Sequence, residues 1–380
     1  MERLGQRRRL RPVDSAQSAV IRVDGRDAVN FSSNNYLGLA ADPRLLNTDS
    51  EDGFGAGASR LTAGSLRPHR LLETRLAEIH EAPAALLFNS GYQANVGVIS
   101  ALAGPEDVIF SDELNHASII DGCRLSRARV EVFPHRDVAA LDLKLGARTP
   151  ARRRFIITDS VFSMDGDLAP LVAERQVADR YGAVFIIDEA HATGIRGPAG
   201  RGLAAELGVQ PDVHLATLSK ALGTFGAYVT GPRSLADYLS NLSRSFVFST
   251  ALPTSVVTAS LTSLSICSSA VGDDLRRRLD HRVAQFRTGL ATLDLLGPHV
   301  GQTPIFPIVI GDEVRTMSIS DRLLAAGVFA QGIRPPTVPR GTARLRFALM
   351  ATHTPTQIDR ALTLLADFVR EGSIPRIPHA

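Results

Sequence analysis

Short apolar runs alternate with helical patterns through the middle of the chain, and this alternation constrains the fold more than any other feature. The pattern is typical of a mostly parallel β-sheet covered by helices, because each crossover between parallel strands needs room for a helix. Leu72, Leu76 and Ile79 recur at the spacing of one helix face. We predict strands at Ala84–Phe88, Val108–Phe110, Val130–Phe133, Phe155–Thr158, Val184–Ile187, Leu215–Thr217 and Ala227–Thr230.

The C-terminal part has a different character, with two predicted strands and a closing helix. The strands are Ile305–Ile310 and Leu345–Leu349, and in the second Arg344 and Arg346 share the polar face. A capping box with proline at the first helical position begins the helix. Its residues are Thr354, Pro355 and Gln357. An α/β fold with a smaller α+β C-terminal domain is therefore expected.

The predicted domain organisation has three parts. Residues 1–45 form an N-terminal arm with two short strands, residues 46–275 a large domain, and residues 276–380 a small C-terminal domain. A chain of 380 residues is long enough for two hydrophobic cores.

Composition excludes several classes of protein. A net charge of +3 makes no strong case for a nucleic-acid or membrane partner. Cys123 and Cys267 make no disulfide framework and have no metal-ligand spacing, which fits a reducing cytoplasm. The basic start does not resemble a secretory signal.

One long segment, residues 245–272, carries no charged residue. It is long enough to span a bilayer, but residues 251–270 contain nine Ser or Thr and Pro253. This is too polar for a lipid-facing helix, so we expect a helix buried within the protein.

Two short motifs carry the most chemical information: Asp188-Glu189-Ala190-His191 and Thr217-Leu218-Ser219-Lys220. Each follows a predicted strand. The Lys220 amine can form an imine with an aldehyde, and the Asp188 carboxylate can keep a ring nitrogen protonated. Pyridoxal phosphate (PLP) needs both groups, because its protonated ring draws electrons from a substrate carbanion. PLP is therefore the predicted cofactor.

Other candidate residues are weaker when taken alone. Gly91 and Tyr92 follow a strand and begin a predicted helix, where free N–H groups can bind a phosphate, although a simple strand–helix turn explains them equally well. His116 can stack on a flat ring, but a lone histidine in a loop is more often an exposed residue without a functional role. Ser163 is likewise a weak candidate by itself.

Competing motifs are incomplete. The sequence has no Walker phosphate-binding motif, and neither glycine-rich stretch, at 55–59 or 194–202, gives a dinucleotide fingerprint. Ile195 stands where a zinc motif would need a second histidine, so we predict no metal site.

As a set, the motifs resemble the α-oxoamine synthase family of fold-type I PLP-dependent transferases. The resemblance runs from about Phe31 to the C-terminal helix. The motifs that carry it are Asn35-Tyr36-Leu37-Gly38-Leu39, Gly57-Ala58-Ser59-Arg60-Leu61, Leu114-Asn115-His116-Ala117-Ser118, Val161 through Asp167, Asp188 through His191, Thr217 through Gly223 and Pro335-Pro336-Thr337-Val338-Pro339.

The resemblance implies roles for the cofactor-binding residues. Lys220 carries the Schiff base, Asp188 pairs with the pyridine nitrogen, and His116 stacks over the ring. His191, helped by Ser163, bonds the phenolic oxygen. The residues implied to hold the phosphate are Gly91, Tyr92 and Thr217.

It also implies substrate contacts. Arg346 binds the amino-acid carboxylate. Arg8 (alternatively Arg7 or Arg9), Arg334 and Thr337 are implied on the acyl side. The family is a homodimer with its site at the interface, so Ser249-Thr250 is expected to reach the neighbour's cofactor. The chain departs from the family at Gly226-Ala227, where Gly-Gly is usual, and at Asp159, where glutamate is usual.

The implied reaction is the decarboxylative condensation of L-alanine with pimeloyl-CoA or pimeloyl-ACP, in biotin biosynthesis. Two alternatives stay open. One is a sister enzyme of the family that uses glycine or serine with another acyl-CoA. The other is a non-catalytic subunit of the same fold, against which Lys220 argues.

Overall fold

The computed structural model describes residues 8–46, 51–147 and 150–377. The chain forms two compact units. We call Asp42–Phe162 with Ala169–Asp273 the large unit, and Met1–Ala41 with Ser163–Leu168 and Asp274–Ala380 the small unit. The three-part division predicted from the sequence stays a prediction.

Thirteen strands and twelve α-helices lie within the described residues. The strands are β1 Val20–Val23, β2 Arg26–Asn30, β3 Ala84–Phe88, β4 Val108–Asp112, β5 Arg129–Phe133, β6 Arg154–Asp159, β7 Val184–Asp188, β8 Val213–Thr217, β9 Ala227–Gly231, β10 Ile305–Gly311, β11 Val328–Phe329, β12 Gln331–Ile333 and β13 Ala343–Ala348. The helices are α1 Arg67–Ile79, α2 Gly91–Leu102, α3 Ala117–Ser126, α4 Val138–Gly146, α5 Leu171–Tyr181, α6 Leu203–Leu207, α7 Arg233–Leu242, α8 Arg244–Val247, α9 Thr254–Cys267, α10 Ala270–Thr292, α11 Glu313–Ala325 and α12 Pro355–Arg370.

The large unit is built on a seven-stranded sheet in the order β3-β9-β8-β7-β6-β4-β5. All seven strands predicted from the apolar runs are confirmed. The strands from β8 to β5 pair in parallel, as expected for the fold class. β9 is antiparallel to both β8 and β3. The large unit therefore has the mostly parallel sheet that the predicted α/β fold requires.

Apolar side chains on both faces of the central strands explain why this sheet forms. In β6 and β7, Phe155, Ile157 and Ile186 belong to a buried core that also includes residues of α2 and α3. Strands buried on both faces read as continuous apolar runs rather than alternating ones.

The small unit contains two three-stranded sheets, ordered β1-β2-β11 and β10-β13-β12. Phe31, Phe286 and Phe347 pack in its core, with ring centroids 5.3–6.2 Å apart. The capping box at Thr354 is present, and it begins α12 as predicted. Leu349 lies one residue beyond the end of β13, so the predicted strand was slightly too long.

The uncharged segment 245–272 is not one helix. It is interrupted between α8 and α9 and again before α10, so the prediction of a single helix was wrong. Within it, α9 is mostly buried, as expected. No single helix in the described residues has the length and apolarity to cross a membrane; α9 and α10 pass that test only as a bent pair, by length and composition.

Candidate active site

Polar side chains end the neighbouring parallel strands of the large unit. The last residues of β4, β6, β7 and β8 are Asp112, Asp159, Asp188 and Thr217. All four are buried. Because parallel strands bring their carboxyl ends to one edge, these side chains line the edge where such sheets bind ligands. Asp159 and Asp188 are direct partners in the register of β6 and β7.

Lys220 lies in the tight connection between β8 and β9. The hydroxyl of Thr217 bonds the carbonyl of Gly226 at 2.9 Å and the Ser219 hydroxyl at 2.8 Å, which closes this connection. Gly226 has a φ of +110°, and a Cβ there would come within 3.2 Å of the carbonyl oxygen of Phe88. Glycine is therefore required at this position.

The lysine amine contacts the predicted histidine. Lys220 Nζ lies 2.8 Å from His191 Nε2. An ammonium group can only donate, so the Nε2 lone pair of His191 accepts this hydrogen bond. His191 is buried and Lys220 half-buried. Two residues 29 positions apart in sequence are thus brought together.

Asp188 is held by two hydrogen bonds and is 6% exposed. Asn95 Nδ2 donates to its Oδ2 at 2.6 Å, and the Ala190 N–H donates to its Oδ1 at 2.8 Å. The two bonds fix the orientation of the Asp188 side chain, as the partner of a protonated ring nitrogen requires.

His116 caps the N-terminus of α3, and its backbone N–H donates to Asp159 Oδ2 at 2.7 Å. Burial, reinforced by the nearby Asp188 carboxylate, raises the pKa of Asp159 well above its usual value. Desolvation lowers the pKa of His116; the Asp188 carboxylate opposes this shift and the Lys220 ammonium adds to it. The lowered pKa favours a neutral His116 imidazole.

The start of α2 offers free backbone donors beside Thr217. Ser90 caps the helix by accepting from the Gln93 N–H. Gly91 and Tyr92 are the first two helical residues, so their N–H groups have no partner within the helix. A Cβ on Gly91 would lie 3.8 Å from the Cβ of Thr217. These predicted phosphate-binding residues are adjacent, whereas the Tyr92 hydroxyl is already engaged, since it donates to Asp121 at 2.6 Å.

The large-unit residues match the chemistry of PLP. Lys220 supplies an amine, Asp188 a buried carboxylate, and Gly91 a helix N-terminus for a phosphate. An amine, a carboxylate and a phosphate-binding helix N-terminus are the three groups that a PLP site needs.

Thr250 lies in a segment that joins two parts of the large unit. It forms an isolated antiparallel bridge with Ser59, and its carbonyl accepts from Asn89 Nδ2 at 2.7 Å. Asn89 Nδ2 also donates to the Ser249 hydroxyl at 2.7 Å. The Thr250 residue as a whole is exposed.

In the small unit, Arg346 of β13 is only 6% exposed. Its Nε donates to the Ser163 carbonyl at 2.6 Å, and its Nη2 donates to Asn34 Oδ1 at 3.0 Å. Burial raises the pKa of Tyr36 to about 12, while Arg346 acts in the opposite direction. Arg344 contacts Met164 and Asp165, so both arginines face the segment 163–165, as the predicted shared face requires.

Arg8, Arg334 and Thr337 line one cavity of about 690 Å³ in the small unit. Arg8 Nη2 donates to the Thr337 hydroxyl at 2.8 Å. Burial, together with the like charge of Arg8, lowers the pKa of Arg334. Arg9 also lines the cavity. Arg7 lies outside the described residues.

Two residues at this site were given no role by the sequence reasoning. Asn95 and Ser118 connect Asp188 with His116 and are buried. Helical periodicity places Asn95 on the side of α2 that faces the sheet, but a single sequence does not reveal its partner. Over the described ranges, no group of three His, Cys, Asp or Glu side chains could hold a metal ion.

Comparison with known proteins identifies the relatives of this chain. The family model of aminotransferase class I and II matches residues 26–365. The 8-amino-7-oxononanoate synthase of Geobacter metallireducens is 49% identical over 95% of this chain and 94% of its own length. That of Anaeromyxobacter sp. (strain K) is 50% identical over 99% of this chain and 94% of its own.

Solved structures agree with the sequence comparison. A serine palmitoyltransferase from S. paucimobilis with a bound PLP–myriocin aldimine superposes with a TM-score of 0.91 at 31% identity, covering 95% of this chain and 92% of that chain. The 8-amino-7-oxononanoate synthase from Francisella tularensis superposes with a TM-score of 0.79 at 28% identity, covering 91% of this chain and 99% of that chain.

Proposed function

The chain belongs to the aminotransferase class I and II family, with 8-amino-7-oxononanoate synthases among its relatives, and from this premise we propose how its residues carry the reaction. It is a PLP-dependent acyltransferase that condenses L-alanine with a pimeloyl thioester, with loss of carbon dioxide, to form 8-amino-7-oxononanoate for biotin. The observation that carries this function is identity of about 50% over nearly the whole chain. The cytoplasmic location stays a prediction.

Lys220 is the proposed covalent anchor of the cofactor. The chain contains two lysines, Lys220 and Lys144, and Lys144 lies on α4, where its amine is 3.7 Å from Glu131. Lys220 follows the carboxyl end of β8 and contacts His191. The Lys220 amine is proposed to act as the general base that accepts the Cα proton of alanine. The contact with His191 holds Nζ in place for this transfer.

PLP, when bound, supplies an electron sink for the charge left on the alanine Cα, both before acylation and on loss of carbon dioxide. Asp188 is proposed to keep the ring nitrogen protonated, because two donors fix the orientation of its carboxyl group. His191 and Ser163 are proposed to bond the phenolic oxygen, and His116 to stack on the ring.

The α2 N-terminus is proposed to bind the phosphate. Gly91 and Tyr92 contribute backbone N–H groups. Thr217 contributes its hydroxyl, whose proton would turn from the Gly226 carbonyl to the phosphate. The Tyr92 side chain takes no direct part in this proposal, since its hydroxyl pairs with Asp121.

Arg346 is proposed to bind the alanine carboxylate. A guanidinium can grip a carboxylate with two parallel hydrogen bonds, which orients the Cα–H bond. This grip does not distinguish alanine from glycine. Arg8, Arg334 and Thr337 are proposed to contact the acyl chain. The support is that they line one cavity, whose two arginines carry positive charge suited to the far carboxylate of a pimeloyl group.

A homodimer is proposed from an exposed apolar surface on the large unit. Phe54, Leu61 and Phe248 are 78%, 54% and 73% exposed. Their segments are joined by the bridge between Ser59 and Thr250. Large exposed apolar patches mark protein interfaces, and in this dimer Thr250 would reach the neighbour's cofactor. Sedimentation should show a dimer that Phe248→Asp dissociates; a wild-type monomer at micromolar concentration would contradict the proposal.

The decisive assay offers alanine, glycine and serine, each with pimeloyl, succinyl, acetyl and palmitoyl thioesters on CoA and, for the pimeloyl group, also on ACP. Product mass and turnover identify the preferred pair. We expect alanine with a pimeloyl thioester. Preferred turnover of serine with palmitoyl thioester, or of glycine with a short acyl group, would move the chain to a sister function. A chain that binds no PLP and stays colourless would instead indicate a non-catalytic subunit.

A further inference from the structure

We propose that Asn95 and Ser118 are positioning residues that hold His116 in the tautomer protonated at Nε2 and connect it to Asp188. The proposal rests on the roles proposed above for His116 and Asp188, and it adds two side chains that position these residues. Both act through His116 and Asp188 rather than on the substrate. All four residues belong to the large unit.

The Asn95 amide has a defined orientation. Its nitrogen lies 2.6 Å from Asp188 Oδ2 and 2.9 Å from the Ser118 hydroxyl. A carboxylate accepts hydrogen bonds, so the amide nitrogen must face Asp188; the flipped amide would set oxygen against oxygen. Asn95 is 2% exposed, so water does not readily compete with these bonds. Both amide protons are therefore committed, one to each partner.

The Ser118 hydroxyl donates its proton towards His116. Because Asn95 donates to Ser118 Oγ, this oxygen is an acceptor on that side. Its single proton is then free to point to His116 Nδ1, which lies 2.7 Å away. The Ser118 side chain is fully buried, which leaves few other partners for that proton.

The tautomer of His116 follows from the donors that face its Nδ1 atom. The backbone N–H of Ser118 also points to Nδ1, at 3.3 Å. Two donors therefore face this nitrogen, and it must present its lone pair. The proton of the neutral ring consequently lies on Nε2. A charged ring would carry a proton at Nδ1 against both donors, which agrees in direction with the lowered pKa of His116.

This arrangement has a consequence for the reaction. His116 is anchored at two points, by Asp159 at its backbone and by Ser118 at Nδ1. Its Nε2–H edge is therefore a fixed hydrogen-bond donor rather than a base. Asn95 bonds both Asp188 and Ser118, and Ser118 in turn bonds His116. A change at Asn95 therefore acts on both Asp188 and His116.

The test measures the tautomer directly, without cofactor or substrate. Full-length protein is labelled with ¹⁵N in the histidine rings, and the His116 resonances are assigned by their loss in His116→Asn. The expected result in wild type is a pyrrole-like Nε2 and a pyridine-like Nδ1. A wild-type His116 protonated at Nδ1 would overturn the proposal, whatever the variants do.

The variants then locate the cause. Ser118→Ala and Asn95→Leu should each produce a detectable Nδ1–H population, whereas Ser118→Thr keeps the hydroxyl and should keep the wild-type tautomer. Ser126→Ala, a buried serine on the same helix that donates to the Cys123 carbonyl, is the matched control. Unchanged tautomers in both Ser118→Ala and Asn95→Leu would refute the positioning role. If one of these variants fails to fold, the other and the wild-type spectrum still decide.

Kinetics of the PLP-loaded enzyme provide a second measurement. Ser118→Ala should lower kcat about tenfold while the KM for alanine changes little, because a positioning hydrogen bond acts mainly on the reacting geometry. An equal loss in Ser126→Ala would indicate a merely structural effect and contradict the proposal. Since the tautomer is measured without cofactor, its outcome is independent of which amino acid and thioester the enzyme prefers.

Discussion

Glu174 offers a quantitative test of the electrostatics in the large unit. It lies in the first turn of α5, its side chain is fully buried, and neither carboxylate oxygen has a hydrogen-bond partner among the described residues. Burial, with a smaller effect of Asp112 in the same direction, raises the pKa of Glu174 to about 8. His135 and Arg136 oppose this rise but do not cancel it.

The size of the effect on stability follows from linkage. A raised pKa means that the folded state binds the proton more tightly than the unfolded state. The contribution of Glu174 is therefore fully present below its ordinary pKa of 4.5 and is lost as pH rises towards 8. At about 1.36 kcal/mol per pKa unit, the rise corresponds to about 5 kcal/mol of unfolding free energy. Most of this, about 3–4 kcal/mol, is lost between pH 5 and pH 8.

The perturbation is Glu174→Gln, which keeps the shape and removes the ionisation. Chemical unfolding at pH 5 and at pH 8 gives the free energy of unfolding for both proteins. A buried amide without partners is costly at both pH values, so the variant should be about 1 kcal/mol less stable than wild type at pH 5 and about 2–3 kcal/mol more stable at pH 8. Glu106→Gln, at a surface position, is the control and should follow wild type. Parallel pH profiles for wild type and Glu174→Gln would refute the reasoning.

Three further predictions concern the site. Borohydride reduction of the PLP-bound protein followed by peptide mapping should place the pyridoxyl group on Lys220; a label on Lys144, the other lysine of the chain, would end that assignment. Asp188→Asn should retain part of the cofactor affinity but lower kcat about 100-fold or more, because the ring nitrogen loses its charged partner; near-normal turnover would show that another group protonates the ring. Gly226→Ala should destabilise the protein by about 1–3 kcal/mol and weaken PLP binding, since its φ is +110° and its Cβ would meet a leucine side chain and a backbone oxygen. Gly208→Ala, at φ +66° in open space, separates backbone strain from that clash and should leave PLP binding unchanged.

The sequence alone predicted every strand of the large sheet, because each is a short apolar run and its signal is local. The same holds for the capping box at Thr354, whose residues lie within one turn. Asp188 could be singled out because an acidic side chain directly after an apolar run is poorly explained by core packing. Lys220 could be singled out because its amine, shortly after another apolar run, can form an imine with an aldehyde.

The partners of these residues were decided by the tertiary structure. Asn95 bonds Asp188 across 93 positions, and Asp159 stands beside Asp188 because β6 and β7 are neighbours in the sheet. No short segment of the sequence determines the strand order, the antiparallel direction of β9 or the break before α10. They depend on which apolar faces bury each other, a property of the whole chain. For this reason the residue types of the site follow from the sequence, whereas the protonation state of His116 follows only from the arrangement of its neighbours.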